Sequence, residues 1–157
     1  SSTVSEMSLI LIQFVPVGCP LRNLSLPIRP TAFHSFLSCL GTAMSESSGV
    51  FTFPSTGLYM ITAVAYIYRN NAQSIYNGIQ IQTTPDDSSY SMASTGYAYI
   101  PDISDAHGSA TVSTIFDVTN TSTHKVRFAG QSAAAVVFGG SSTVNYTHFI
   151  FQKLGDT

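Results

Sequence analysis

The side chains of this chain that could hold a metal or move a proton are four histidines, two cysteines and eight acids, and their spacing decides what chemistry they can share. His34, His107, His124 and His148 are dispersed. None is followed two or four residues later by a His, Cys or acid that a strand or helix would bring to the same face. The densest acidic stretch is 101–108, with Asp102, Asp105 and His107, and next comes the pair Asp86 and Asp87. Calcium takes roughly six to eight oxygens, and either stretch supplies two carboxylates, whereas Asp in turns commonly accepts hydrogen bonds from nearby backbone. Local turn chemistry is therefore expected, with no metal and no cofactor. Acyl transfer would require Ser or Cys beside a His base and an orienting acid. Every such combination here is distant in sequence and lies in no surrounding motif, and the acids show no spacing that marks a glycosidase pair. The chain is not expected to be an enzyme.

Cys19 and Cys39 have no clustered His or acidic companions and make no zinc pattern. They are either two buried small hydrophobes or a disulfide pair. Apolar residues make up 44% of the chain and charged ones only 9%, far below the roughly 25% usual in a soluble domain. Ser, Thr, Asn, Gln and Tyr replace the missing charge; they hydrogen-bond to water or to a partner without the desolvation cost of an ion, which suits assembly. The six basic residues, Arg22, Arg29, Arg69, Lys125, Arg127 and Lys153, are scattered, and the net charge is −2. That distribution leaves no electrostatic footprint for nucleic acid. The apolar run 9–15 is too short to cross a bilayer, which needs about 20 residues. Glu6 sits where a signal peptide would carry positive charge, so this run reads as a strand, with no membrane insertion. Asn23, Asn120 and Asn145 head Asn-X-Ser/Thr triplets of the kind a Ser- and Thr-rich chain produces by chance.

Pro16, Pro20, Pro27 and Pro30, with Gly18, interrupt the first thirty residues and forbid a regular central strand or helix there. Residues 1–30 are expected to form an extended arm for attachment or intersubunit contact, and 31–157 one domain, a length that suits a single core. Beyond Pro30, short β-type runs are bounded by Gly, Ser, Asn and Asp. Strands are expected over 32–39, 49–53, 58–68, 78–84, 90–100, 109–118, 124–129, 134–138 and 144–154, with no competing helix.

Two of these runs are apolar on both faces. In 58–68, Tyr59, Ile61, Ala63, Ala65 and Ile67 share one face, and Leu58, Met60, Val64, Tyr66 and Tyr68 the other. In the last run, Val144, Tyr146, His148 and Ile150 oppose Thr147, Phe149 and Phe151. A sheet covered on both sides requires a second layer on each, and in a one-domain protein another subunit supplies the outer one. Tyr59, Ile61, Tyr66, Tyr68, Tyr146, His148, Phe149 and Phe151 are the expected interface residues. His148 near a symmetry axis would lie beside its own copies. Tyr97 and Tyr99, with the following loop of Asp102, Asp105 and His107, are the expected outward binding surface, since tyrosine rings suit sugar stacking and protein contact.

The segment 49–61 carries Gly49, Phe51, Pro54, Gly57 and Tyr59 ahead of an apolar strand. It resembles the most recognisable segment of the tumour necrosis factor and complement globular-head superfamily. Ala32 and Phe33 after Pro30, and Phe149, Ile150 and Phe151 near the end, resemble that superfamily's first and last strands. The resemblance implies an antiparallel two-sheet jelly-roll sandwich of about ten strands, in an all-β fold that packs as a homotrimer. Residues 1–30 carry no Gly-X-Y repeat, unlike the collagen-like stalk of many animal members. The stretches 116–126 and 151–157 are similar in texture to jelly-roll proteins of tailed bacteriophages, especially those infecting cyanobacteria. This second likeness implies a virion surface protein, a decoration, fibre or knob, with capsid or tail proteins as partners and a host-surface glycan as a further one. The alternative it leaves is a secreted trimeric ligand or carbohydrate-binding module.

Overall fold

The structure, a computed structural model, describes residues 42–70, 73–140 and 145–157. The arm expected at 1–30, the strand expected at 32–39, Cys19, Cys39, His34 and Val144 lie outside the described residues. The described chain forms nine strands: β1 (Ser45–Ser47), β2 (Val50–Thr52), β3 (Gly57–Arg69), β4 (Ser74–Thr84), β5 (Ser91–Ile100), β6 (His107–Val118), β7 (Lys125–Ser132), β8 (Val136–Phe138) and β9 (His148–Gly155). All neighbours pair antiparallel, in a five-stranded sheet ordered β1-β2-β7-β4-β5 and a four-stranded sheet ordered β6-β3-β8, with β9 also pairing β3. Among the described residues no helix is long and apolar enough to cross a membrane.

The corner that starts β3 explains the spacing of its motif. Ser48 and Gly49 both have positive φ, 51° and 82°, which closes the β1–β2 hairpin as the two-residue turn that matches strand twist, and Glu46 Oε1 accepts the Gly49 N–H at 2.6 Å. Phe51 then turns inward and is fully buried. After Pro54 the chain reverses into Gly57, whose φ of 141° disfavours any other residue. A Cβ there would also fall 2.5 Å from the Gly155 carbonyl oxygen and 2.4 Å from the Lys153 side chain, which lies across the corner. Tyr59 locks the bend by donating its hydroxyl to the Ser55 carbonyl at 3.0 Å. Lys153 is anchored by the Asp156 carboxylate at 2.5 Å, a bond that holds the ammonium pKa above and the carboxyl pKa below their ordinary values.

β3 runs through the middle of its sheet. On one side it pairs with β6 along nearly its whole length; on the other, β9 covers Leu58 to Val64 and β8 covers Ile67 to Arg69. At the handover the Tyr66 N–H meets the Thr147 hydroxyl at 3.1 Å, that hydroxyl donates to the Gly139 carbonyl at 2.8 Å, and the Gly139 N–H donates to the Tyr66 carbonyl at 2.8 Å. One buried threonine thus replaces the ladder bond that neither strand supplies.

The core lies between the sheets. Tyr59, Ile61, Ala63, Ala65 and Ile67 from β3, with Phe149 and Phe151 from β9, meet Phe51, Val126, Ile79, Ile81 and Ile100 from the opposite sheet. Phe128 of β7 stacks on Phe149 at 3.7 Å between centroids, and Phe51 meets Phe128 edge-on at 5.5 Å and Phe151 at 5.3 Å. At the other end the sheets approach closely because Gly96 leaves room for Val112, which a Cβ would meet at 2.7 Å. The β4–β5 turn is closed by Asp86, whose Oδ1 accepts from the Ser88 and Ser89 N–H groups at 2.9 Å each and from the Thr84 hydroxyl at 2.7 Å. This is the local turn chemistry expected of the Asp86–Asp87 pair.

Two outcomes follow. Phe149→Ala removes a ring stacked between the sheets and should lower unfolding free energy by about 3–5 kcal/mol in urea titrations. The backbone bond from Ser89, then those from Thr84 and Ser88, hold the Asp86 carboxyl well below its ordinary 3.8. Its contribution to stability is therefore complete above the unfolded pKa and fades as pH falls through the folded one. Thermal melts should show a constant gap between the native chain and Asp86→Asn at neutral pH, shrinking below about pH 4.

Candidate functional site

The outward face of the four-stranded sheet is built by alternation. Where Tyr59, Ile61 and Ala63 point to the core, Leu58, Met60, Thr62, Val64, Tyr66 and Tyr68 point away from it. Register adds their neighbours: Ile115 and Gln152 flank Met60, Ser113 and Ile150 flank Thr62, and Thr111 and His148 flank Val64. Ile115 is 61% exposed, and Met60, Val64 and Ile150 are only half-buried. Across its strands the Thr62 and Ser113 hydroxyls bond at 3.1 Å. Among the described residues, Nδ1 of His148 is buried without a hydrogen-bond partner.

An aromatic cluster closes one end of this face. The Tyr66 ring stacks on Tyr146 at 4.8 Å and lies 5.5 Å from the His107 ring and 6.2 Å from Tyr68. Gly139 is the seat of that ring: a Cβ there would stand 2.6 Å from it. Beside the cluster, Arg69 binds Asp102 through Nε at 2.8 Å, and its backbone N–H reaches the Ala106 carbonyl at 2.9 Å. His107 Nδ1 lies 2.9 Å from the Asp105 carbonyl.

The structure divides the eight expected interface residues. Tyr66, Tyr68, Tyr146 and His148 belong to the outward face or its aromatic end. Tyr59, Ile61, Phe149 and Phe151 are buried between the sheets of one subunit and belong to its core. Both faces of β3 and β9 are apolar, so alternation separates the two sets without saying which turns inward; the phenylalanines of the facing sheet decide it. Met60, Ile115 and Ile150 complete the outward face. Ile115 is the one apolar residue among Ser109, Thr111, Ser113 and Asp117 on the outward side of β6, a weak signal in sequence.

The expected outward binding surface is divided as well. Asp102, Asp105 and His107 sit at the aromatic end of the four-stranded sheet, Asp102 tied to Arg69 and His107 paired with Tyr68. Tyr97 and Tyr99 lie on the outward face of the other sheet, since Tyr97 pairs with Gly78 and alternates with the inward Ala98 and Ile100. The chain changes sheets between Ile100 and His107, which separates neighbours in sequence. Asp102 and Asp105 contribute to no group of three or more His, Cys, Asp or Glu that could hold a metal, and none exists among the described residues.

On the five-stranded sheet the Tyr97 ring lies over Gly78, where a Cβ would come within 2.5 Å of it. Its hydroxyl donates to Gln131 Oε1 at 2.7 Å, and Tyr76 meets it edge-on at 5.9 Å. Tyr99 reaches Gln73 Oε1 at 3.5 Å. At the far end of the same face Arg127 covers the Tyr90 ring at 4.1 Å and donates to Gln82 Oε1 at 2.7 Å. Burial first, then the charge of Asp87, pushes the Tyr90 phenol above its ordinary pKa, with Arg127 opposing.

No family model matches the chain, and no curated protein matches it. Among solved structures it is similar to murine APRIL, in a crystal structure at pH 5.0, with a TM-score of 0.53 and 15% identity over 73% of this chain and 79% of that one. At that identity the likeness concerns the fold, and with the strand order described above it shows this chain to be an antiparallel two-sheet jelly-roll sandwich.

Proposed function

We propose that the protein is a non-enzymatic homotrimeric module of a virion surface, a decoration, fibre or knob that stabilises the particle and adheres to host cells. The observation that carries the trimer is the outward face of β3, β6 and β9, where Met60, Val64, Ile115 and Ile150 form an apolar surface that one subunit leaves uncovered. Apolar area removed from water stabilises association by about 25 cal/mol per Å² before the cost of ordering, and closed cyclic symmetry lets three identical faces cover one another. The virion assignment rests on the likeness of 116–126 and 151–157 to tailed-phage proteins and on an exterior poor in charge. Residues 1–30 are the proposed attachment to capsid or tail proteins. A secreted trimeric ligand or carbohydrate-binding module would use the same face and differ in its address.

Native mass spectrometry should find three copies of the 16.8 kDa chain. Ile115→Asp, at a position open to water in the single subunit, should leave circular dichroism unchanged and yield monomer, because burying an unpaired carboxylate in each contact costs roughly 3–5 kcal/mol. A monomeric native chain, or a variant that stays trimeric, would overturn this assembly. For the address, deleting residues 1–30 should leave a trimer that no longer co-sediments with particles. Trimer loss on that deletion would make the arm part of the intersubunit core, and native protein found only free of particles would favour the secreted reading.

A further inference from the structure

We infer that the outward face of the five-stranded sheet is a binding platform for an uncharged glycan, centred on Tyr97 and Tyr99. This inference rests on the trimeric adhesion reading, in which the other sheet's face is taken up by assembly and this one stays open. Tyr97 and Tyr99 are 51% and 57% exposed, and Tyr76 beside them 41%, an unusual concentration of large rings left to water. Tyr97 and Tyr99 alternate on β5, and Tyr76 meets the Tyr97 ring edge-on at 5.9 Å, so the three lie on one surface.

Three features favour an uncharged sugar. First, the rings are held before anything binds: Tyr97 is seated over Gly78 and tied to Gln131, and Tyr76 buttresses it edge-on. A ring fixed in advance loses little entropy on contact, which matters for a ligand that offers only one flat C–H face at a time. Second, the polar groups beside the rings are amides and hydroxyls, Gln131 and Gln73 with the tyrosine O–H groups, which both donate and accept as sugar hydroxyls do. Third, Tyr76, Gly78, Tyr97, Tyr99, Gln131 and Gln73 include no cation and no carboxylate. Asp102, three residues beyond Tyr99, is engaged by Arg69. Around the tyrosines an anionic polymer would find no counter-charge, since Arg127, at the far end of this face, is engaged by the Tyr90 ring and by Gln82. The aromatic faces stack on pyranose rings, and the amides give orientation.

Affinity electrophoresis of the intact trimer through gels containing soluble neutral polysaccharides (dextran, galactomannan, laminarin or hydroxyethyl cellulose), with heparin as the anionic counterpart, tests this. At least one neutral polymer should retard the chain, and Tyr97→Ala and Tyr99→Ala should each weaken that retardation about tenfold. Tyr99→Ala, at an exposed position, should keep the native melting temperature. Tyr97→Ala also uncovers Gly78 and loses the Gln131 bond, so its melting temperature should fall, and circular dichroism at the assay temperature checks that it remains folded. Retardation by none of the neutral polymers, by heparin alone, or equally in both variants would overturn the platform. Native mass measured on the same samples reads the trimer separately: a monomer that is still retarded sinks the assembly reading and spares the platform, and a trimer that is not retarded does the reverse.

Discussion

β3 is apolar on both faces, and everything else in the molecule is arranged around covering it. Its inward face receives the five-stranded sheet, through a set of phenylalanines, Phe51, Phe128, Phe149 and Phe151, in mutual ring contact across the sandwich. Aromatic pairs of this kind add roughly 0.5–1.5 kcal/mol each beyond the area they bury. The position of β9 follows from the same need: its phenylalanines reach the core only if it lies beside β3, and that placement turns His148 and Ile150 outward next to Val64 and Thr62. The uncovered face is thus a direct consequence of filling the core.

The two outward faces use the same backbone and different chemistry. One carries Met60, Val64, Ile115 and Ile150, whose removal from water is non-directional and suits a broad contact between copies. The other carries Tyr97, Tyr99, Gln131 and Gln73, whose polar atoms are already oriented. With charged residues at 9% of the chain, neither face relies on ion pairs for selectivity. Discrimination must come from shape and from which hydrogen bonds a partner can complete.

Much of the fold was legible in the sequence because its signals are local. The double-sided alternation of 58–68, the corner spelled by Gly49, Phe51, Pro54, Gly57 and Tyr59, and most strand positions depend on residues within a few places of one another. What was not legible depends on partners far along the chain. Tyr59, Ile61, Phe149 and Phe151 read as surface candidates because an alternating strand has two equivalent faces until Phe51 and Phe128 arrive from the other sheet. Tyr97 and His107 read as one surface because ten residues separate them, yet the crossing between sheets falls in that interval. β1 was missed because Ser45, Glu46 and Ser47 are exposed and carry no apolar pattern at all. Thr147 and Asn77 are buried polar residues whose roles appear only with their neighbours; Asn77 donates to the Ser74 and Ala98 carbonyls at 3.1 Å each, at an irregularity of the β4–β5 pairing.

Glycine under tyrosine recurs on both outward faces, and the comparison separates the two surfaces. A strand glycine exposes backbone and packs nothing, and a ring laid over it restores the lost cover. At Gly139 the ring is Tyr66, and Tyr146, Tyr68 and His107 gather around it, so that it is half enclosed before any partner arrives. At Gly78 the ring is Tyr97, supported from below and at one edge while half its surface stays in water. The first arrangement stiffens the end of a contact surface and leaves little ring to offer. The second presents a rigid flat face with its hydroxyl already engaged, so a ligand gains the stacking area without having to order the side chain that provides it.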